Sequence, residues 1–203
     1  LIVSGLPGDF LKPAHVPRIR ELLGSHDVAV IGPGLGREEQ ALEAVSQILP
    51  LCKKAVIDAD GLYNLSLPAG GNGEFIITPH AVEYSRLAGD RLPEGVEEKK
   101  DIVCAFSREK QVVTLLKGNI DIVSDGRDVR LNRTGNAGMT VGGTGDVLAG
   151  ITGALFAVNG AMDAACCGCF VSGLAGDLAF EERGWGLLAS DIVEKITDVM
   201  KGL

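Results

Sequence analysis

The amino-acid sequence predicts an α/β fold with a mostly parallel central sheet, helices on both faces and a small hairpin. Short apolar runs alternate with amphipathic helical segments, which is the pattern of βαβ units. Glycines or polar residues follow four of the predicted strands, and ligands bind beyond the carboxyl ends of strands in such sheets. With 203 residues, the chain is long enough for a sizeable core. Residues 1–203 are therefore predicted to form one domain.

The first predicted strand, over about 27–31, runs into a glycine-rich turn and then into a helix over 37–49 with apolar residues on one face. The second strand, within 53–62, ends in two acids, Asp58 and Asp60. Each turn alone is equally compatible with an ordinary connection between strand and helix. The prediction of a ligand site depends on all four strand ends together.

A third strand, closed by Thr78–Pro79, leads into a helix that begins near His80 and ends near Gly89. Glycine favours this end because it adopts the left-handed conformation common after helices. A further helix is predicted over 97–110, and it precedes a fourth strand within 111–118.

Residues 119–134 alternate between apolar and polar on both sides of the dipeptide Asp125-Gly126. This pattern predicts a hairpin, so the sheet is expected to be mixed at this edge. The chain after Gly145 is predicted to be helical, with a break at 157–163 and with Ser190 as the cap of the last helix.

The formal net charge is −8, with a sequence pI near 4.9, which argues against binding to nucleic acid or to an anionic membrane. There is no uninterrupted apolar run of about eighteen residues, the length expected of a membrane span. The start of the chain also lacks the pattern of a signal peptide. A phosphate-bearing ligand would therefore need local capture by backbone amides and a few side chains.

Three of the five cysteines crowd together as Cys166, Cys167 and Cys169. None of the three histidines lies near them in sequence, which disfavours a metal site. We expect a buried helix of small residues in which cysteine acts as a small apolar group. Free thiols of this kind predict a reducing, cytoplasmic location.

Residues 132–150 contain six glycines, a concentration that costs conformational entropy and therefore needs a reason. Successive amides over Gly142–Gly145 are expected to form a concavity for an anion, reinforced by the N terminus of the following helix. Neither the GxxxxGK[ST] phosphate loop nor a well-formed GxGxxG dinucleotide motif is present. The sequence therefore predicts phosphate binding by a different glycine loop.

Asp146 directly follows the last loop glycine. An acid in the first turn of a helix is favourable by about 0.3–1 kcal/mol, so a capping role is one interpretation. A carboxylate beside a bound phosphate makes sense when it accepts a proton from a hydroxyl that attacks phosphorus. The sequence favours this second role.

Five segments, in order, resemble the ADP- or ATP-dependent NAD(P)H-hydrate dehydratases of the ribokinase-like superfamily: VIGPGLGR, IDADGL, ITPHAVEYSRL, LLKG and GNAGMTVGGTGDVLAG. The resemblance extends from about Asp9 to near Asp177. It implies a ribokinase-like fold and a repair enzyme that uses ADP or ATP to phosphorylate the ring hydroxyl of a hydrated nicotinamide. Loss of phosphate then regenerates NADH or NADPH. Phosphoryl transfer also implies Mg²⁺, although the sequence shows no dedicated carboxylate cage and no residue is assigned as a metal ligand.

The resemblance assigns roles to residues that match the family's motifs, with Asp146 as the base at the substrate hydroxyl. The implied nucleotide-binding residues are Lys117, Gly118, Asn119, Ile120, Asp121, Asn136, Ala137, Gly138, Met139, Thr140, Val141, Gly142, Gly143, Thr144 and Gly145. The implied residues for the hydrated dinucleotide are Gly34, Gly36, His80, Ala81, Val82, Glu83, Tyr84, Ser85, Arg86 and Asp146. The family often has proline at the positions of Ala81 and Ala137, and threonine at that of Asp121.

Several of these side chains also have a structural interpretation. His80 is either a ligand group or a helix cap, and Lys117 is either a ligand group or a solvated lysine at the end of a strand. Asp58 and Asp60 either orient the loops or a magnesium-bound water, or simply shape an aspartate turn.

Two other functions stay open at this level: a superfamily kinase for a thiazole or pyrimidine alcohol, and a non-catalytic nucleotide sensor. Members of the family usually carry an upstream glycine-rich strand and helix, and no such segment precedes Leu1. We therefore expect either that the chain is part of a longer polypeptide, which in this family is often fused to an epimerase domain, or that the substrate pocket lacks one wall. The small-residue helices after Gly145 also suit a homo-oligomer.

Overall fold

The central sheet has six strands, in the order β1 to β6, in the part of the chain that the computed structural model describes, residues 3–68 and 73–202. The strands are Ala29–Ile31 (β1), Lys54–Ile57 (β2), Glu74–Ile77 (β3), Val113–Leu116 (β4), Asp121–Ser124 (β5) and Val129–Asn132 (β6). Pairing is parallel from β1 to β4 and antiparallel for β4–β5 and β5–β6. The mostly parallel sheet and its hairpin are confirmed. Residues 1–2, 69–72 and 203 of the predicted domain lie outside the described residues.

Seven α-helices occur within the described ranges. They are Val16–Leu23 (α1), Glu39–Ile48 (α2), Ala81–Ala88 (α3), Val96–Lys110 (α4), Thr144–Phe156 (α5), Ala161–Arg183 (α6) and Ala189–Gly202 (α7). Side chains of α2, α3 and α4 pack on one face of the sheet, and those of α5 and α6 pack on the other. α7 packs against α6. Helices therefore cover both faces, as predicted.

The strands read as apolar runs because both of their faces are covered. Ala55 and Ile57 of β2 pack in the cluster with α2, whereas Val56 between them packs with α5 and α6. In the same way, Ile77 of β3 belongs to the first cluster and Ile76 to the second. Successive strand residues point to opposite faces, so a sheet between two helical layers needs apolar residues at every position.

α6 lies at the centre of the helical layer formed with α5 and α7. By length and composition alone, the stretch Ala161–Gly186 is apolar enough to cross a membrane, but 56% of its most apolar window is buried inside the protein. Its small residues allow close approach of the neighbouring segments. Gly168 lies against Thr152 of α5, and Gly173 lies against Thr134 of the loop before α5. The apolar character of α6 is therefore accounted for by packing within the fold.

Two local features differ from the sequence predictions. The first helix, α1, had no predicted counterpart. Ser190 lies inside α7, which begins at Ala189, and is not its cap. The Asp191 side chain instead accepts a hydrogen bond from the amide of Leu188 at 2.8 Å. A carboxylate in the first turn is favoured there because it also meets the positive end of the helix dipole.

The carboxyl ends of β1 to β4 meet at one edge of the sheet, and the turns that follow them are in close contact. Gly32, after β1, has φ +125°, and a Cβ atom there would collide with the carbonyl oxygen of Asp58 after β2. His80, after β3, forms a parallel bridge with Lys117 after β4. Only glycine allows the first of these approaches. The four predicted ligand turns are thus brought to one edge.

Candidate active site

The loop that joins β6 to α5 is held in place by one acid on α6. The Asn136 side chain accepts a hydrogen bond from the amide of Gly138 at 2.9 Å and donates one to Asp177 at 2.8 Å. The amide of Gly135 donates to the other carboxylate oxygen of Asp177 at 3.0 Å. Asp177 therefore fixes the start of the glycine loop, a role that sequence reasoning did not identify.

This loop and the turn after β4 surround a cavity of about 470 Å³, a volume in the range of small-molecule sites. Ten of the predicted nucleotide-binding residues line it: Lys117, Gly118, Asn119, Asp121, Asn136, Ala137, Met139, Thr140, Thr144 and Gly145. Its other lining residues were not predicted: Thr134, Gly135, Leu148, Cys169, Ser172 and Gly173. The last three lie at helical spacing on α6, a pattern that indicates a shared face. Only the packing of α6 shows that this face meets the cavity.

The remaining predicted nucleotide residues lie outside the lining: Ile120, Gly138, Val141, Gly142 and Gly143. Gly143 is the N-cap of α5 and has φ +94°, a conformation that glycine adopts without strain. A Cβ atom on Gly143 would lie 3.1 Å from the Cβ of Ala189. Of the stretch Gly142–Gly145, where a concavity for an anion is expected, Thr144 and Gly145 line the cavity.

Asp146 lies in the first turn of α5, directly after Gly145, and its side chain is exposed. It is not part of the cavity lining. Within the described part of the chain, its carboxylate makes no hydrogen bond or ion pair, and so it is not occupied by a capping contact. The carboxylate is therefore available to a ligand on the outer side of the α5 N terminus.

An ion pair lies between the cavity and the turns after β1 to β3. Lys117 Nζ is 2.7 Å from Asp58 Oδ1, and Asp58 is only 1% exposed. The backbone amide of Lys117 donates to the carbonyl of Pro79 at 2.9 Å. A Cβ atom on Gly145 would lie 3.5 Å from Lys117 Nζ and 3.6 Å from Asp58 Oδ2. The pair therefore sits against the N terminus of α5, where a phosphate would be attracted.

Asp60 holds the glycine turn after β1. Its carboxylate accepts hydrogen bonds from the amide of Gly36 at 3.3 Å and from Arg37 Nε at 2.7 Å. Gly34 and Gly36 have φ values of +67° and +80°. The two acids that the sequence left open thus differ in role, since Asp58 pairs with a lysine and Asp60 anchors a turn.

The predicted substrate-binding stretch, His80 to Arg86, covers the first two turns of α3. His80 Nδ1 accepts hydrogen bonds from the amides of Val82 and Glu83, at 3.1 and 3.3 Å. The Glu83 carboxylate accepts one in return from the amide of His80 at 2.8 Å. This is a reciprocal capping box, so His80 acts as a helix cap in this structure.

Two side chains of the same stretch are occupied within the protein. Tyr84 is 1% exposed, its hydroxyl donates to the carbonyl of Ile102 at 3.2 Å, and its ring packs 5.1 Å from that of Phe106. This side chain belongs to the core and not to a ligand surface, which corrects the role implied by the resemblance. Ser85 Oγ accepts a hydrogen bond from the amide of Leu92 at 3.3 Å. The exposed residues of the stretch are His80, Ala81, Val82 and Arg86.

Burial affects two titratable groups on the cavity wall. It raises the pKa of the Asp121 carboxyl above its ordinary value, and hydrogen bonds from Asn132 and from the Gly118 amide only partly oppose this effect. Burial also raises the pKa of the Cys169 thiol. That thiol therefore stays neutral and behaves as the small apolar group that the sequence predicted.

The other two cysteines of the α6 cluster are less buried than predicted. Cys166 is half-buried, and burial raises its pKa to about 11. Cys167 is exposed. The expectation of a wholly buried cluster is therefore wrong, because Cys167 lies on the outer side of α6.

Among the described residues, no group of three or more His, Cys, Asp or Glu side chains is arranged to hold a metal ion. Magnesium in phosphoryl-transfer sites needs only one or two carboxylates, because substrate phosphates supply its other ligands. Asp58 and Asp146 are two single carboxylates at the N terminus of α5. This donor set fits an ion that is carried by a nucleotide.

The mostly parallel sheet, the cavity at the carboxyl ends of its strands and the acid in the first turn of α5 are arranged in a ribokinase-like fold. A solved ribokinase-like superfamily protein from Enterococcus faecalis has this fold, with a TM-score of 0.79 over 94% of this chain and 68% of that chain, at 23% identity. Within this class, the chain belongs to the NAD(P)H-hydrate dehydratase family, whose sequence model matches residues 2–198. The family predicted from the five segments is confirmed.

Two relatives make the family assignment concrete. The bifunctional NAD(P)H-hydrate repair enzyme Nnr of Archaeoglobus fulgidus is 42% identical over 200 residues, which is 98% of this chain. The chain spans about 40% of the length of that curated relative. The ADP/ATP-dependent NAD(P)H-hydrate dehydratase of Bacillus subtilis, crystallised with ATP and Mg²⁺ and soaked with CoA, is 28% identical. Its TM-score is 0.78 over 87% of this chain and 66% of that chain.

Proposed function

We propose that this chain carries an ADP- or ATP-dependent dehydratase activity that repairs hydrated NADH and NADPH. The observation that carries the proposal is the arrangement at the N terminus of α5. There the Asp58–Lys117 ion pair lies against Gly145 at the wall of the cavity, and Asp146 follows in the first turn of the helix. Membership of the family and the similarity to the B. subtilis enzyme support the same activity.

The cavity is the proposed nucleotide site, with the phosphates directed at Thr144 and Gly145. Unpaired amides and the positive dipole end at the start of α5 attract an anion there. Lys117 adds a full positive charge, and its pairing with Asp58 fixes the direction of the ammonium group. Mg²⁺ carried by the nucleotide would neutralise part of the phosphate charge.

Asp146 is the proposed base. It accepts the proton of the ring hydroxyl while that oxygen forms a bond to the terminal phosphorus of the nucleotide. The bond that breaks joins this phosphorus to its bridging oxygen, so ADP leaves as AMP and ATP leaves as ADP. The phosphate ester then departs from the ring carbon with its bonding electrons as a proton leaves the neighbouring carbon. These two losses restore the ring double bond, and phosphorylation helps because phosphate leaves more readily than hydroxide.

A direct assay tests this function. The complete protein is incubated with hydrated NADH or NADPH and either ADP or ATP, and the absorbance of the reduced nicotinamide is followed. We expect absorbance to recover, with one phosphate and one AMP or ADP released per turnover. Phosphorylation of a thiazole or pyrimidine alcohol without recovery would instead indicate a kinase, and tight ADP binding without any turnover would indicate a sensor.

A second domain, the oligomeric state and the cellular location are also proposals. The relative from A. fulgidus is named bifunctional, which supports a second catalytic domain in the same polypeptide, for which an epimerase is the expected activity. A homo-oligomeric state and a cytoplasmic location remain predictions. Sedimentation of the purified protein and fractionation of cells would test them.

A further inference from the structure

Two arginines share one aromatic ring beside the turns after β1 to β3. The guanidinium carbon of Arg37 lies 5.3 Å from the centre of the Tyr63 ring, and that of Arg86 lies 5.2 Å from the same centre. Arg37 follows the glycine turn after β1, Tyr63 follows the turn after β2, and Arg86 belongs to α3 after β3. Three separate connections therefore bring two positive charges to one place.

The acids beside these arginines are already engaged in holding the backbone. Asp60 accepts hydrogen bonds from the Gly36 amide and from Arg37 Nε, and Glu83 accepts one from the backbone at the start of α3. The terminal nitrogens of Arg37 and the whole guanidinium of Arg86 make no hydrogen bond within residues 3–68 and 73–202. Such planar sets of donors match the geometry of phosphoryl oxygens.

The charge balance also points to an anionic ligand. Each guanidinium is attracted to the face of the Tyr63 ring. Arg37 is also paired with Asp60, whereas Arg86 forms no ion pair among the described residues, so its charge is available to an anion. The chain as a whole carries a net charge of −8, so a polyanion needs local positive charge in order to bind. The Arg37 side chain is 58% exposed, and its terminal donors are therefore accessible to a ligand.

We infer that Arg37 joins Arg86, which the family resemblance already implied for the hydrated dinucleotide, in binding phosphoryl oxygens of that ligand, with Tyr63 as their platform and Asp60 orienting Arg37. The inference rests on the proposed function, which supplies this substrate. The phosphoryl group is either the bridging pyrophosphate, which both dinucleotides carry, or the 2′-phosphate, which only NADPH carries. In either case the ligand's phosphate lies apart from the ADP or ATP phosphates, because neither arginine lines the nucleotide cavity.

Kinetics of charge-removing variants test the inference in the complete protein. Arg37→Gln and Arg86→Gln are each expected to raise the KM for the hydrated dinucleotide on the order of tenfold. The double variant should raise it further, while kcat and the KM for ADP stay within about twofold of their original values. Arg18→Gln is the matched control, since Arg18 is an exposed arginine of α1 that pairs only with Glu21. Thermal unfolding of each variant verifies the fold.

The two hydrated dinucleotides separate the possible sources of the phosphate. A raised KM for both substrates assigns the arginines to the pyrophosphate, and a raised KM for hydrated NADPH alone assigns them to the 2′-phosphate. A double variant whose KM matches the Arg18→Gln control for both substrates overturns the inference.

Failure of the proposed function would be recognised separately, because the unmodified protein would then give no recovery of absorbance. In that event, equilibrium binding of NADH and NADPH to the unmodified protein and to the double variant decides the question. Weaker binding of either dinucleotide by the double variant supports the arginine site. Equal binding of both, or no binding by the unmodified protein, rejects it.

Discussion

On the β4–β6 side of the sheet edge, the candidate ligand groups surround a formed cavity and include both loop backbone and side chains such as those of Lys117 and Asp121. The glycine loop there is held by Asp177 and by the packing of α6. On the β1–β3 side, the groups are exposed side chains, and acids such as Asp60 hold them by hydrogen bonds. In the proposed function, the first side receives the part that ADP and ATP share. The second side depends on a few residues that could readily differ between proteins of the same fold.

The N terminus of α5 separates these two regions and contains the groups expected to act on both ligands. Substitutions there should affect turnover most. Substitutions on either side should affect one ligand at a time, and substitutions at the far end of the sheet should affect stability alone.

Replacing Asp146 by asparagine should lower kcat by at least roughly 10²-fold, because the amide cannot accept the hydroxyl proton. Nucleotide affinity should stay within a few-fold, since Asp146 does not line the cavity. The protein should unfold at nearly the same temperature because the side chain is exposed and makes no contact that the change would remove. Steady-state kinetics, ADP titration and thermal unfolding measure the three effects. Near-normal turnover would remove Asp146 from the mechanism.

The Asp58–Lys117 pair should show strong coupling in a double-mutant cycle. Lys117→Met leaves a carboxylate that is 1% exposed without its counter-charge, which should lower the free energy of unfolding by about 3–5 kcal/mol. Asp58→Asn should cost less, about 1–3 kcal/mol. The double variant should lose clearly less than the two single losses combined. Urea unfolding measures the cycle, and simple additivity would show that the pair does not act as a unit.

The same variants should weaken ADP binding, each for a different reason. Lys117→Met removes the cation itself, whereas Asp58→Asn leaves the cation but no longer fixes its direction. We therefore expect the larger loss of affinity from the lysine change. The reverse order would indicate that Asp58, and not Lys117, is the residue that contacts the nucleotide.

Asp121 should make stability depend on pH in the acidic range. Its pKa is raised in the folded protein by burial, so between the unfolded value of about 3.9 and the folded value the native state binds more protons. Stability then falls as pH rises through that window. Asp121→Asn removes this term, so the variant should gain stability relative to the original protein as pH rises from about 3 to about 6. Urea unfolding at constant ionic strength measures it, and a difference that does not change with pH contradicts it.

Lys54 offers a change in stability without a change in turnover. Its ammonium donates to the carbonyls of Phe156 and Asn159, at 2.9 and 3.0 Å, at the C-terminal end of α5. Lys54→Met should therefore lower the free energy of unfolding by about 1–2 kcal/mol. KM and kcat should not change, because the active-site groups lie at the other end of α5. A loss of turnover in this variant would mean that the two ends of the helix are coupled.

Much of the fold could be predicted from the sequence because local signals agree with the tertiary structure. The apolar runs of β2 and β3 lie between two helical layers, and Gly89 ends α3 in the left-handed conformation that its position suggested. The prediction that Ser190 caps α7 was wrong because serine and aspartate are both favourable at the N terminus of a helix. Sequence alone did not show which of the two would hold the free amide.

The candidate site was predictable where one continuous segment forms it, as in the loop from Asn136 to Gly145. It was not predictable where a side chain arrives from a distant element, as Asp177 and Ser172 do from α6. Tyr84 shows what a motif match alone cannot predict. A matching motif locates a segment, but on a helix such as α3 side chains three to four residues apart share a face, and only packing shows which face points to the core.

The ion pair beneath the start of α5 has a further consequence for how long a product can stay. A phosphate that draws the ammonium of Lys117 towards itself must compete with Asp58, which already holds that group at 2.7 Å. When a nucleotide leaves, the Lys117 ammonium therefore still has Asp58 as its partner. Asp58 therefore both orients the Lys117 ammonium and weakens its attraction to a bound phosphate. In the proposed function, this competition favours rapid release of the nucleotide after phosphoryl transfer.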